Sequence, residues 1–131
     1  MNAKTLGYWA TTGLLAFALF GGGASKLAGA EPMQQSMEHL GYPAYLLTIL
    51  GFWYVSAAVT LVVPGFARLK EWAYAGIVFA MSGAFASHLF AGDGLAESMP
   101  GVVLAGLAVA SYMLRPSSRK AAALQPALVA A

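Results

Sequence analysis

Residues 72–92 read WAYAGIVFAMSGAFASHLFAG, twenty-one consecutive positions without an Asp, Glu, Lys or Arg. A bilayer core of about 30 Å is crossed by around 20 helical residues, so this stretch has the length and polarity of a transmembrane helix. Working outward from it, the runs 5–25, 39–67 and 98–114 are also free of formal charge, with lengths of 21, 29 and 17 residues. The four runs take 88 of the 131 residues, and the other 43 carry all twelve charges. Their apolar positions are continuous, not alternating, which argues against a β-barrel. The fold expected from this pattern is all-α: an integral membrane four-helix bundle with spans at about 5–27, 43–63, 70–92 and 97–114. Residues 1–115 form its single domain, and 116–131 are expected to be a flexible cytoplasmic tail.

Composition agrees with this. Hydrophobic residues make up 60% of the chain and charged ones 9%, against roughly 25% charged in soluble domains. A small soluble protein has a large surface to cover, and twelve charges do not cover it. That excludes a soluble globular enzyme. A net charge of +2, with no nucleic-acid-binding motif, argues against a nucleic-acid partner. The absence of Cys removes disulfides, thiolate metal sites and Cys-ligated iron–sulfur clusters together.

Orientation follows from the short loops. Lys4, Arg68, Lys70, Arg115, Arg119 and Lys120 fall on one side of the four spans and only Lys26 on the other. The positive-inside rule puts both termini in the cytoplasm. Tyr8, Trp9, Trp72, Tyr74 and Tyr112 are expected in the inner aromatic belt, and Tyr42 and Tyr45 in the outer one. Lys4, the apolar stretch to Phe20 and Ala28-Gly29-Ala30 imitate a secretory signal; the segment is read here as a retained span.

Between the first two spans, Glu31-Pro32 precedes Met33, Met37 and Leu40 at helical spacing, and Gly41 follows. Pro suits a first helical turn and Gly an end. A short amphipathic helix in the outer interface is expected. Gly21-Gly22-Gly23, Gly76/Ala80/Ala84, Gly83/Ser87, Gly101/Ala105 and Gly106/Ala110 are expected to let helices approach closely.

Depth sorts the candidate site residues. Lys26, His39, His88, Asp93 and Glu97 gather at the outer mouth. His88 lies about one turn inside the membrane and is the candidate catalytic residue, since ionisable groups at that depth mark sites. The bland alternative is a neutral imidazole bonded to Ser87, a carbonyl or water. Lys26 either contributes to a site or snorkels to the headgroups. Trp53 and Tyr54, at the centre of the second span, either pack the core or line a pocket for an aromatic or isoprenoid ligand, with core packing the simpler reading. The ligand-binding candidates are therefore Lys26, Trp53, Tyr54, His88 and Asp93. His39 and His88 give only a weak signal for a bis-His haem, and no metal-ligand spacing is present. No carboxylate occupies the middle of a span, which counts against a proton-driven exporter.

Several segments resemble the DoxX-like family of four-helix membrane proteins. These are Ser25-Lys26-Leu27 after the glycines, Leu40-Gly41-Tyr42-Pro43, Pro64-Gly65-Phe66, Leu69-Lys70-Glu71-Trp72-Ala73-Tyr74-Ala75-Gly76, Ser82-Gly83-Ala84 and Ala86-Ser87-His88. The resemblance runs over roughly residues 5–115. The chain departs from the family pattern where relatives carry a charged residue at the place of Tyr54 and an Asp at the place of Ala80. Some members resemble subunits of thiosulfate:quinone oxidoreductases or accompany other membrane redox complexes, and one distant eukaryotic relative is an assembly chaperone. The resemblance thus implies a non-catalytic accessory subunit, in the lipid bilayer, with a membrane redox partner protein and a quinone or lipid as ligand. The small-residue faces permit a homodimer. The alternative is a small membrane enzyme acting on a hydrophobic substrate, with His88 as general acid or base.

Overall fold

The computed structural model describes residues 1–121. Among them are five α-helices and no strand: α1 (Ala3–Leu27), α2 (Glu31–Leu40), α3 (Leu46–Val62), α4 (Ala67–Phe90) and α5 (Leu95–Leu114), followed by one 3₁₀ turn at Ser117–Arg119. Each apolar run became one long helix. The Asn2 side chain opens α1 by accepting a hydrogen bond from the Thr5 amide at 2.8 Å. Pro32 stands in the first turn of α2, and Gly41 ends it in the left-handed conformation at φ 78°.

Helices α4 and α5 are long and apolar enough to cross a membrane. Helices α1 and α2 pass that test together, but their axes meet at 87°, so α2 does not extend α1. Helix α3 has 17 residues and is a shorter apolar helix.

The four long helices close a ring in which α1 packs on α3 and α5, and α4 packs on α5 and, more thinly, on α3. Their shared core is Leu15 and Leu19 from α1, Ala58 and Leu61 from α3, Tyr74, Ile77 and Met81 from α4, and Ala108 from α5. Two seams are backbone-tight. A Cβ on Gly51 would stand 2.9 Å from the Gly23 carbonyl, and one on Gly101 would stand 2.7 Å from the Met81 carbonyl. Only glycine allows those approaches. Of the small-residue positions expected to serve packing, Gly23 and Gly101 do so, whereas Gly21, Gly76, Gly83 and Gly106 face open space. Gly51, the partner of Gly23, stands in no small-residue repeat.

Inside the core, the Ser111 hydroxyl joins the Thr12 hydroxyl at 2.5 Å and the Tyr74 hydroxyl at 2.7 Å. Buried hydroxyls need such partners; the fully buried Tyr8 hydroxyl has none among the described residues. Tyr8 and Tyr74 are therefore core residues, although their sequence depth matched an aromatic belt. Trp9, Trp72 and Tyr112 do face outward.

Where α3 stops and α4 starts, basic residues close the structure. The turn uses two consecutive left-handed residues, Gly65 at φ 77° and Phe66 at φ 53°, which turns the Val63 and Gly65 carbonyls toward one point. The buried Lys70 ammonium donates to both, at 2.5 and 2.6 Å. Arg115 pairs with Glu71 at 2.5 Å and lies 3.7 Å over the Tyr112 ring. Arg119 donates to the Val62 and Val63 carbonyls at 3.2 and 2.7 Å and stacks on Trp9. The first residues of the expected tail are thus docked by Arg119; the rest of that expectation, from residue 122 on, lies outside the described residues.

Candidate functional site

A groove of about 330 Å³ opens between α3 and α4, which touch each other more thinly than the other neighbouring long helices do. Its floor is Leu19, Ile77 and Met81, and its walls are Leu50, Tyr54, Ala57, Thr60, Leu69, Ala73, Gly76 and Ala80. Trp53 and Trp72 line it as well, 61% and 74% exposed. Gly76 and Ala80 explain the hollow: their short side chains face the groove, so this small-residue stripe makes space instead of a helix contact. Among the described residues no Asp, Glu, His, Lys or Arg lines it; Ser56 and Thr60 do, and the Thr60 hydroxyl is satisfied by the Ser56 carbonyl at 2.7 Å. Such a surface can hold apolar and aromatic matter but offers no acid or base.

A second, polar cluster lies where α4 turns into α5. The Asp93 carboxylate takes His88 Nδ1 at 2.7 Å on one oxygen and His39 Nε2 at 2.6 Å on the other. An ionised carboxylate only accepts, so both rings donate. Hydrogen bonds from His88 and then His39 hold the Asp93 carboxyl below the usual carboxylate range. This bridge ties α2 to the α4–α5 turn. Beside it, the Tyr42 and Ser87 hydroxyls meet at 2.5 Å, and Ser87 donates to the Gly83 carbonyl. His88 therefore bonds Asp93, while Ser87 is occupied by Tyr42.

The Lys26 ammonium lies 4.8 Å over the centre of the Tyr54 ring and 3.8 Å from the Met33 sulfur. It forms no ion pair among the described residues.

The five sequence candidates thus fall into two places. His88 and Asp93 meet, joined by His39. Lys26 meets Tyr54, which with Trp53 lines the groove. Trp53 is largely exposed and is not a core residue, whereas Tyr54 packs against the core and lines the groove at once. Trp72, Gly76 and Ala80 are groove residues that sequence reading assigned to a belt and to packing. Only the facing of α3 and α4 gives them a common purpose. No group of three or more His, Asp or Glu among the described residues is arranged to hold a metal ion.

The sequence pattern of the DoxX-like family matches residues 10–111, more than three quarters of the chain. The chain belongs to the DoxX-like family. No curated protein and no solved structure matches it. The matched segment of this DoxX-like protein contains the whole groove, the His39–Asp93–His88 bridge and Lys26. Tyr54 and Ala80, the two places where the resemblance led to an expectation of charged residues in relatives, both line the groove.

Proposed function

We propose that this DoxX-like protein is a non-catalytic accessory subunit of a bacterial inner membrane, which binds an isoprenoid such as a quinone, or a lipid, in the α3–α4 groove while associating with a partner protein of a redox complex. The observation that carries this is the groove itself: sizeable, open between two helices, aromatic at Trp53 and Trp72, and free of acids and bases. A pocket of that kind favours binding over proton transfer. The proposal includes four spans in a bundle with both termini cytoplasmic. Its support is the clustering of Lys70, Arg115 and Arg119 at one end of the helices and the 87° turn of α2, suited to an interfacial helix.

Native mass spectrometry of the protein released from mild detergent tests this. A retained isoprenoid or lipid, together with a co-purifying partner chain, is the expected result. Unaided turnover of a hydrophobic substrate by the isolated chain would overturn it.

One observation favours the enzyme alternative. With Nδ1 of His88 donating to Asp93, Nε2 is left as the acceptor, the arrangement of an oriented general base. On that reading, His88→Ala abolishes turnover without unfolding the bundle, although it gives up one bond to Asp93.

A further inference from the structure

We infer that the groove ligand carries an anion, and that Lys26 binds it: an anionic phospholipid of the bilayer, with its acyl chain between α3 and α4 and its phosphate on the Lys26 ammonium. This rests on the reading of the groove as a ligand site and adds the chemistry of the headgroup.

The starting observation is the direction of Lys26. Side chains on a helix lean toward its N-terminus, and the Lys26 ammonium follows that lean. It stands level with Gly22, 4.0 Å from where a Cβ on that glycine would be. It has turned inward over the Tyr54 ring instead of stretching along the helix to the headgroups. The expected snorkel is not what the structure has.

The surroundings of this charge are incomplete. Helix α1 carries it, α2 covers it with the Met33 sulfur, and α3 supplies the Tyr54 ring. A thioether and an aromatic face are weak partners for an ammonium. Glu31 and Glu38, the acids of α2, form no ion pair with it among the described residues. The other basic residues that are not exposed are treated differently: Lys70 has two carbonyls, Arg115 a carboxylate and Arg119 two carbonyls. An unpaired cation at this depth is costly, and such residues pair where they can. A neutral carbonyl ligand would give one hydrogen bond; an anion would also neutralise the charge.

The groove supplies the rest of the ligand. Leu19 forms part of its floor, and Lys26 is seven residues on, the same face of α1 two turns away. The ammonium, drawn back level with Gly22, stands three residues from Leu19, about 4.5 Å along the axis, so an amphiphile with its phosphate at Lys26 has its chain beside Tyr54 and running toward Gly76 and Trp72. Tyr54 is the hinge of the site, touching the cation and lining the groove.

The test uses the full chain in bilayers of equal parts phosphatidylcholine and phosphatidylglycerol, followed by mild extraction and native mass spectrometry of the retained lipid. The wild type is expected to retain phosphatidylglycerol over phosphatidylcholine by on the order of tenfold, the ratio that ~1.4 kcal/mol gives. Lys26→Met is expected to retain lipid without that preference, and Lys26→Arg to keep it. Gly76→Phe, placed where nothing lies within 4 Å, is expected to retain neither lipid. An equal headgroup mixture on the wild type and Lys26→Met overturns the inference while leaving the groove as a lipid site. So does retention of a neutral quinone alone. Undiminished retention by Gly76→Phe overturns the groove reading and this inference together.

Discussion

The two lysines Lys70 and Lys26 mark opposite ends of the helices and were given opposite surroundings. Lys70 is 1% exposed, yet its ammonium is held by two carbonyls that a strained left-handed turn aims at it. Lys26 is only partly buried but among the described residues has nothing better than a sulfur and a ring. Burial alone therefore does not single out a functional cation; the missing partner does. The basic end is a finished structural closure of α3, whose last carbonyls receive Lys70 and Arg119 as the helix dipole favours. The other end is held by close backbone approach of α1 to α3 and by one carboxylate shared between two imidazoles, and it keeps an unpaired charge beside a groove.

The sharpest way to break this contrast is to remove each charge in turn. Lys70→Met strands the Gly65 carbonyl, leaves the Val63 carbonyl to Arg119 alone, and is expected to cost about 3 kcal/mol in detergent unfolding. Lys26→Met in lipid-free detergent is expected to be neutral or slightly stabilising. Equal losses at the two positions would erase the distinction. Next in size, Gly51→Ala drives a methyl against the Gly23 carbonyl and Leu27, with an expected loss of about 2 kcal/mol from overpacking. Gly83→Ala, facing open space, is expected to leave the melting temperature unchanged or raise it through helix propensity.

A smaller effect is expected at Asp93, read through pH. Its folded value lies below the ordinary 3.8, so the folded state favours the carboxylate. The stability this adds is fully present above the ordinary value and is lost as pH falls through the lower folded one. Wild type and Asp93→Asn should therefore differ by a constant amount from neutral pH down to about the ordinary Asp value, and converge below it. A gap that persists in acid would show that the bridge does not depend on the carboxylate charge. Smallest of all, Arg119→Ala is expected to cost under about 1 kcal/mol, as a half-exposed cation–π and carbonyl contact does, and to shift Trp9 fluorescence. An unmoved Trp9 signal would mean the docking of residues 117–119 is not maintained in solution.

Much of this architecture was legible from charge spacing. The four long helices begin and end within three residues of the spans expected from that spacing, and α2 occupies the segment that Pro32 and Gly41 delimit. Lys70 was read as a topology signal and as part of a family segment, because nothing in a linear pattern shows that a side chain will fold back seven residues to Val63. Tyr8 and Tyr74 had the depth of belt residues but the wrong azimuth. In continuously apolar helices no amphipathic period tells which face turns inward, so inward and outward aromatics look alike. The same ambiguity hid the groove: Gly76 and Ala80 repeat at the spacing of a packing face and turned out to line a space.

The sequence by itself determined where the helices are, that they are too apolar for water, and which ionisable groups gather at each end. Those follow from local hydrophobicity and the few charges the chain carries. Only the tertiary structure decided which of those groups have partners. Asp93 is claimed by His88 and His39 from separate helices, Lys70 by the end of α3, and Lys26 by no anion among the described residues. Pairing depends on the rotation and crossing of helices, which the contacts of Gly23 with Gly51 and of Gly101 with Met81 set. Those contacts join residues 20 or more positions apart, beyond the reach of any local pattern.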